Sequence, residues 1–206
     1  MRSLAHEHFV VAEHVYRAGA LLLGRFKLSS GGESTVYLDL RRLLAHPDAL
    51  DVISSLAAAK LEESLRGFDA VVGIATGGIA WATLIAYKLR KPAGYVRLAR
   101  KGHGTDSVVE GWKGPGKAVI VDDVATTGSS IVEAARVLRG SGVDVAGALV
   151  IVDREQGAGD RVRELGLKFV RLATLRQILE YGVSSGRVPQ GEAQWALKEL
   201  EGVRGQ

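Results

Sequence analysis

The order of apolar runs along this chain predicts an α/β fold: a parallel sheet with helices on both faces. Three observations point there. Short, almost wholly apolar runs recur at 70–75, 94–98, 118–121, 146–152 and 168–172. Stretches with apolar residues at helical spacing separate or follow them, at 79–89, 130–139, 161–165, 174–181 and 191–200. Several runs end in glycine, acid or hydroxyl clusters. A strand buried on both faces needs no polar alternation, and repeated strand–helix alternation is how parallel neighbours are joined.

The region before the first run is organised differently. Residues 4–23 carry Leu4, Phe9, Val10, Ala12, Val15, Tyr16 and Ala20 and read as an amphipathic helix. A hairpin is expected next, from 24–28 and 35–39 around the Ser29-Ser30-Gly31-Gly32 turn. Pro47 and Asp48 then open a helix to about residue 65, because proline suits the first helical position and an acid suits the first turn. With no internal repeat or long linker, 1–206 is expected to be one domain. Within it, 1–45 forms an N-terminal helix and hood segment, 66–175 the core sheet and 97–116 a mobile lid loop.

Composition narrows the chemistry. The absence of cysteine excludes a disulfide framework, a thiolate nucleophile and a cysteine zinc site. A formal net charge of +4 suits an anionic small molecule as well as nucleic acid and does not choose between them. No secretory apolar segment and no membrane-length apolar run is visible, so a cytoplasmic protein is expected. The lack of asparagine, the single methionine and the abundant arginine hint at a thermophile.

The most informative segment is 118–130. Ala118-Val119-Ile120-Val121 leads into Asp122-Asp123, then Val124-Ala125, then Thr126-Thr127-Gly128-Ser129-Ser130 and a helical pattern. That is a strand, an acidic tip, a hydroxyl-rich turn and a helix start. The turn can present free backbone N–H groups, hydroxyls and the positive end of a helix dipole to a phosphate. Two carboxylates there would repel a bare polyanion, but they can accept hydrogen bonds from sugar hydroxyls or face a developing positive charge. The segment is a candidate ribose-5-phosphate site.

Three other strand ends add groups. Gly73-Ile74-Ala75-Thr76-Gly77-Gly78 lets backbone approach a ligand at a helix start, without the spacing of a dinucleotide fingerprint or a P-loop. Arg97-Leu98-Ala99-Arg100-Lys101-Gly102-His103-Gly104 roots a polar, glycine-rich stretch reaching to about Gly116, and loops of that length are often lids. Asp153-Arg154-Glu155-Gln156-Gly157 brings an arginine able to pair a carboxylate through two parallel N–H bonds; the plainer alternative is an Asp153–Arg154 surface pair.

Segment 118–130 resembles the signature by which type I phosphoribosyltransferases bind 5-phosphoribosyl-1-diphosphate (PRPP). The match to the orotate phosphoribosyltransferase family spans roughly 20–180. It rests on Phe26, Leu28, Ser30 and Gly31; on Tyr95, Val96, Arg97, Lys101, His103 and Gly104; and on Asp153, Arg154 and Gly157. The resemblance implies the type I core with a small hood built from the N-terminal segment, and transfer of phosphoribose from PRPP to orotate in pyrimidine (UMP) biosynthesis. It implies that Asp122 and Asp123 take the ribose hydroxyls while Thr126, Thr127, Gly128, Ser129 and Ser130 wrap the 5-phosphate, with Val124 and Ala125 also in the PRPP-binding segment. Thr76 and Gly77 fall on the diphosphate side. Arg97, Lys101 and His103 contact the diphosphate, with Lys101 and His103 reaching it from the neighbouring subunit of a homodimer. Thr126 and Arg154 hold orotate. Lys101, His103, Asp122 and Asp123 form the catalytic set, with His103 either protonating the leaving oxygen or only bonding to it. Mg²⁺ is expected on PRPP and diphosphate oxygens rather than in a protein metal site.

Three family lysines are missing, replaced by Ser29, Gly77 and Leu98, and the role of Arg100 is not fixed. Lys27, Tyr37 and Arg41 fall where the family builds its hood. The rival readings are a phosphoribosyltransferase for another base and a PRPP-sensing regulator that binds nucleic acid. Only about 25 residues precede Phe26, too few for a DNA-binding unit, so neither nucleic acid nor membrane is expected as a partner. His6, Glu7, His8, Glu13 and His14 read as an exposed helix face rather than a metal cluster. Trp195 reads as core or dimer packing, with Trp112 undecided.

Overall fold

The computed structural model describes residues 6–27, 33–98 and 108–204. Its centre is a six-stranded sheet of β3 (Ala70–Ile74), β4 (Ala93–Arg97), β5 (Val108–Gly111), β6 (Lys117–Ala125), β7 (Asp144–Asp153) and β8 (Lys168–Thr174), in the order β5-β4-β3-β6-β7-β8. All neighbours run parallel except β5, which pairs antiparallel with β4. A separate antiparallel hairpin, β1 (Leu21–Lys27) and β2 (Glu33–Leu38), precedes it.

Alternation along the strands divides the apolar side chains between two faces. Val119, Val121, Leu149 and Ile151 pack on α1 (Glu7–Arg17), α2 (Pro47–Ser64), α3 (Gly77–Leu89) and α6 (Leu175–Ser184). Ala118, Ile120, Ala148 and Val150 meet Ile131, Ala134, Ala135 and Leu138 of α4 (Ser129–Gly140) and Val162 of α5 (Ala158–Glu164). With both faces covered, β6 and β7 tolerate continuous apolar sequence.

Local signals set the helix ends. Pro47 and Asp48 start α2 as expected. Thr174 Oγ1 accepts from Gln177 N at 3.1 Å, and Gln177 Oε1 accepts from Thr174 N at 2.9 Å. This reciprocal cap places the start of α6 at the end of β8. The final helix, α7 (Gln190–Arg204), leaves Trp195 54 % exposed, so that residue is not part of the core.

The structure differs from the sequence expectation in five places. The first helix stops at Arg17, because Gly19 adopts φ 60° and Leu21–Leu23 pair with β2 instead of continuing the helix. A 3-10 helix, Leu40–Ala45, follows β2; Leu40 and Leu43 share one face and are fully buried. Strand β6 runs past the acidic pair to Ala125, because Val124 and Ala125 pair with Val152 and Asp153. Part of the expected 97–116 loop is strand β5, with Val109 buried and Trp112 packed against the α4-side core. The α1 acids are engaged rather than exposed. Glu7 is buried and pairs with Lys60, while Glu13 accepts from Tyr181 Oη and, at 2.9 Å, from Arg187 Nη2. Arg187 also lies over the rings of Tyr16 and Tyr181, so this clasp joins α1 to the turn after α6.

Leu149 lies on β7 with no exposed surface. Leu149→Ala is expected to destabilise the fold by about 2–5 kcal/mol, read from chemical denaturation at an unchanged m-value.

Candidate active site

The parallel strands follow the order β4-β3-β6-β7-β8, so the chain reverses its direction of travel across the sheet between β3 and β6. Loops leaving the carboxyl ends of such neighbours diverge to opposite faces and open a crevice where ligands bind. Here those ends are Thr76-Gly77 after β3 and Asp122-Asp123 on β6. The β3–α3 loop lies directly against the acids: a Cβ on Gly77 would sit 2.4 Å from Asp123 Oδ2, so a larger residue there requires the Asp123 carboxyl to move. The Ala75–Thr76 peptide is cis.

Beyond the acids, Thr126–Ser130 turn the chain from β6 into α4. Gly128 makes that turn with φ 77°, and a Cβ on it would approach Ala158 Cα at 2.9 Å. No side chain caps α4, which leaves its first backbone N–H groups open to a ligand. The hydroxyls of Thr127 and Ser129 lie 3.0 Å apart. Together with Asp122, this turn lines a cavity of about 170 Å³. Donors, hydroxyls and the positive end of a twelve-residue helix converge on it, a setting that favours a phosphate.

The two acids are organised by their own backbone. Asp122 Oδ1 accepts from Asp123 N at 3.0 Å, and Asp123 Oδ1 accepts from Val124 N at 2.8 Å. Burial first, and then repulsion from Asp123, push the Asp122 carboxyl well above the usual carboxylate range.

A third wall comes from the end of β7. Asp153 is buried and accepts from Arg171 Nη1 at 2.7 Å and from Glu155 N at 2.8 Å. The acid's salt bridge is thus to Arg171 on β8, and not the surface pair with Arg154 that was the plainer alternative. The Arg154 backbone N–H donates to Ala125 O at 2.9 Å, which places that residue where the turn begins. Its Nη2 lies 3.4 Å from Ser34 Oγ, linking β7 to the hairpin. That hairpin also carries Tyr37, whose ring centroid is 5.6 Å from that of Phe26.

Asp122, Val124, Ala125, Thr126, Thr127, Gly128, Ser129 and Ser130 therefore share one cavity, with Thr76 and Gly77 on the adjoining loop by Asp123. Arg97 ends β4, exposed and paired with Glu110 at 2.9 Å. Leu98 packs against the core. The expectations for Lys101, His103, Arg100 and Ser29 lie outside the described residues. Sequence reasoning missed Ser34 and Arg171, isolated polar residues with no motif spacing to mark them.

The family model for the phosphoribosyl transferase domain matches residues 39–165. Orotate phosphoribosyltransferase of Aeropyrum pernix is 48 % identical over 179 residues, covering 86 % of this chain and 96 % of that protein. The chain belongs to the orotate phosphoribosyltransferase family. The crystal structure of orotate phosphoribosyltransferase from A. pernix superposes with a TM-score of 0.78 at 46 % identity, over 87 % of this chain and 99 % of that one. A second family structure, from Mycobacterium tuberculosis H37Rv in complex with PRPP, has a TM-score of 0.69 at 27 % identity and covers 84 % and 98 % of the two chains. The type I phosphoribosyltransferase fold expected from the sequence is thus the fold observed.

The raised Asp122 pKa has a sign that can be checked. A carboxyl whose folded pKa exceeds its unfolded value costs stability at high pH, and that cost shrinks as pH falls below the folded pKa and is gone below the unfolded one. Asp122→Asn is therefore expected to raise Tm at neutral pH, with the gain shrinking in acid. Calorimetric scans across pH give the comparison, and a variant less stable at neutral pH would contradict the stated burial effect.

Proposed function

We propose that this chain transfers the 5-phosphoribosyl group of PRPP to orotate, giving orotidine 5-phosphate and diphosphate in pyrimidine biosynthesis. The observation that carries the reading is the pair Asp122-Asp123 running straight into an uncapped helix start, with Arg154 beside it. Relatives covered over nearly their whole length bear the name of this activity, and one family structure holds PRPP.

In the transfer, the bond from ribose C1 to the diphosphate oxygen breaks and its electrons leave with diphosphate. A bond from C1 to orotate N1 forms, and the N1 proton passes to solvent. Asp122 and Asp123 accept hydrogen bonds from the ribose hydroxyls and lie near the positive charge that grows on the ring. The 126–130 turn holds the 5-phosphate through backbone N–H and hydroxyl donors, with Thr76 and Gly77 meeting the diphosphate. Thr126 and Arg154 orient orotate, the arginine through the base's carboxylate. Arg97, Lys101 and His103 complete the diphosphate side, the last two from the neighbouring subunit of a homodimer.

Among the described residues no three His, Asp or Glu gather into a metal cage. Mg²⁺ would be carried mainly on PRPP and diphosphate oxygens, where it would neutralise leaving-group charge. No helix among the described residues is long and apolar enough to cross a membrane, and a cytoplasmic location fits such an enzyme.

Steady-state assays with PRPP, Mg²⁺ and orotate, against adenine, hypoxanthine, xanthine and uracil, test the reading; turnover confined to another base overturns the orotate assignment. Arg154→Ala is expected to raise the orotate KM about tenfold or more while changing the PRPP KM little. Lys101→Ala is expected to lower kcat with little change in orotate affinity.

A further inference from the structure

Ser34 occupies an unusual place in the hairpin. Side chains alternate along β2, so Ser34 and Val36 are buried while Thr35 is half-buried and Tyr37 exposed. Val36 joins the apolar cluster that holds Leu40 and Leu43. The inward position two residues earlier would suit an apolar side chain, yet it carries a hydroxyl with 2 % exposure. A buried hydroxyl costs stability unless its hydrogen bonds are made. Ser34 Oγ donates to Val36 O at 3.0 Å and accepts from Val36 N at 3.3 Å. These bonds within one strand fix its rotamer. With the O–H committed to Val36 O, the hydroxyl meets Arg154 as an acceptor, and Arg154 Nη2 donates to it at 3.4 Å.

Arg154 is anchored at its backbone. Its N–H is bonded to Ala125 O, and the residue before it, Asp153, is locked by Arg171 Nη1 and Glu155 N. Those bonds place the main chain, not the guanidinium at the end of a long side chain with several rotatable bonds. Two parallel N–H bonds to a carboxylate require the guanidinium plane to be set, and setting it beforehand lowers the entropy lost on binding. The Ser34 contact gives that plane a support from an element 120 residues away in the chain. Nη2 bears two N–H bonds, so one can rest on Ser34 while the other serves a carboxylate.

We infer that Ser34 is a positioning residue for recognition of the base. Its hydroxyl holds the Arg154 guanidinium in the plane that meets the carboxylate of orotate, so the hairpin helps to set the preference for an acidic base. The role is exercised through Arg154, without contact to PRPP or the reacting atoms. The inference rests on the orotate transfer proposed above and on the part given there to Arg154.

The test is a double-mutant cycle of wild type, Ser34→Ala, Arg154→Ala and the double variant, assayed with orotate and PRPP. Circular dichroism and Tm confirm folding. Ser34→Ala is expected to raise the orotate KM by about threefold to tenfold, with kcat and the PRPP KM nearly unchanged. In the Arg154→Ala background the same substitution is expected to change orotate kcat/KM by less than about twofold, because no guanidinium remains to be oriented. Ser34→Cys keeps the size but offers a poor acceptor; it is expected to match Ser34→Ala, and it replaces that variant if alanine prevents folding. An unchanged orotate KM in a folded variant overturns this inference alone. So does an equal loss in both backgrounds, or a parallel rise in the PRPP KM, either of which marks a merely structural residue. A wild-type protein that binds PRPP but turns over no orotate overturns the reading on which the inference rests.

Discussion

The site depends on the seating of β6 between β3 and β7. Its apolar run is held by parallel ladders on both sides and covered by helices on both faces, so Asp122 and Asp123 emerge at a fixed height on the carboxyl edge. Every other wall is measured from that edge. Gly77 lies against Asp123, the 126–130 turn begins where the ladder ends, and the Arg154 N–H is bonded to the last carbonyl of β6. A register slip of one residue would turn the acids towards the wrong faces and detach the turn from its helix.

The protein tolerates a costly arrangement there. Two adjacent carboxylates, one with its pKa raised by burial, work against the empty fold. In the proposed transfer their value lies in the occupied state, where sugar hydroxyls would donate to them and positive charge would grow nearby. Strain between stability and activity is common where residues are placed for a reaction. The surrounding apolar strands, fully buried, are what make it sustainable.

Much of this was legible in the sequence because the responsible signals are local. The apolar run with its acids and hydroxyl turn is contiguous, as are Gly73–Gly78 and Asp153–Gly157, and each falls on a strand end. What escaped detection depends on partners distant in the chain. Strand β5 is four residues long, and Val108 and Val109 acquire meaning only beside β4. The end of α1 was misjudged because Leu21–Leu23 suit a helix as well as a strand, and only β2 decides between them. The partner of Asp153 was not legible, because Arg171 meets it only through the parallel pairing of β7 and β8. Ser34 has no pattern at all; its position under Arg154 is a product of the assembled hood.

The clasp of Glu13 with Tyr181 and Arg187 has a reach beyond its own contacts. It fastens α1 to the far end of the chain, and Val11 and Val15 of α1 share one apolar cluster with Leu40 and Leu43 beneath the hood. Loosening the tail would therefore be transmitted through that cluster to the 3-10 helix after the hairpin. Damage near the far end of the chain would thus register in the packing of residues from its first quarter.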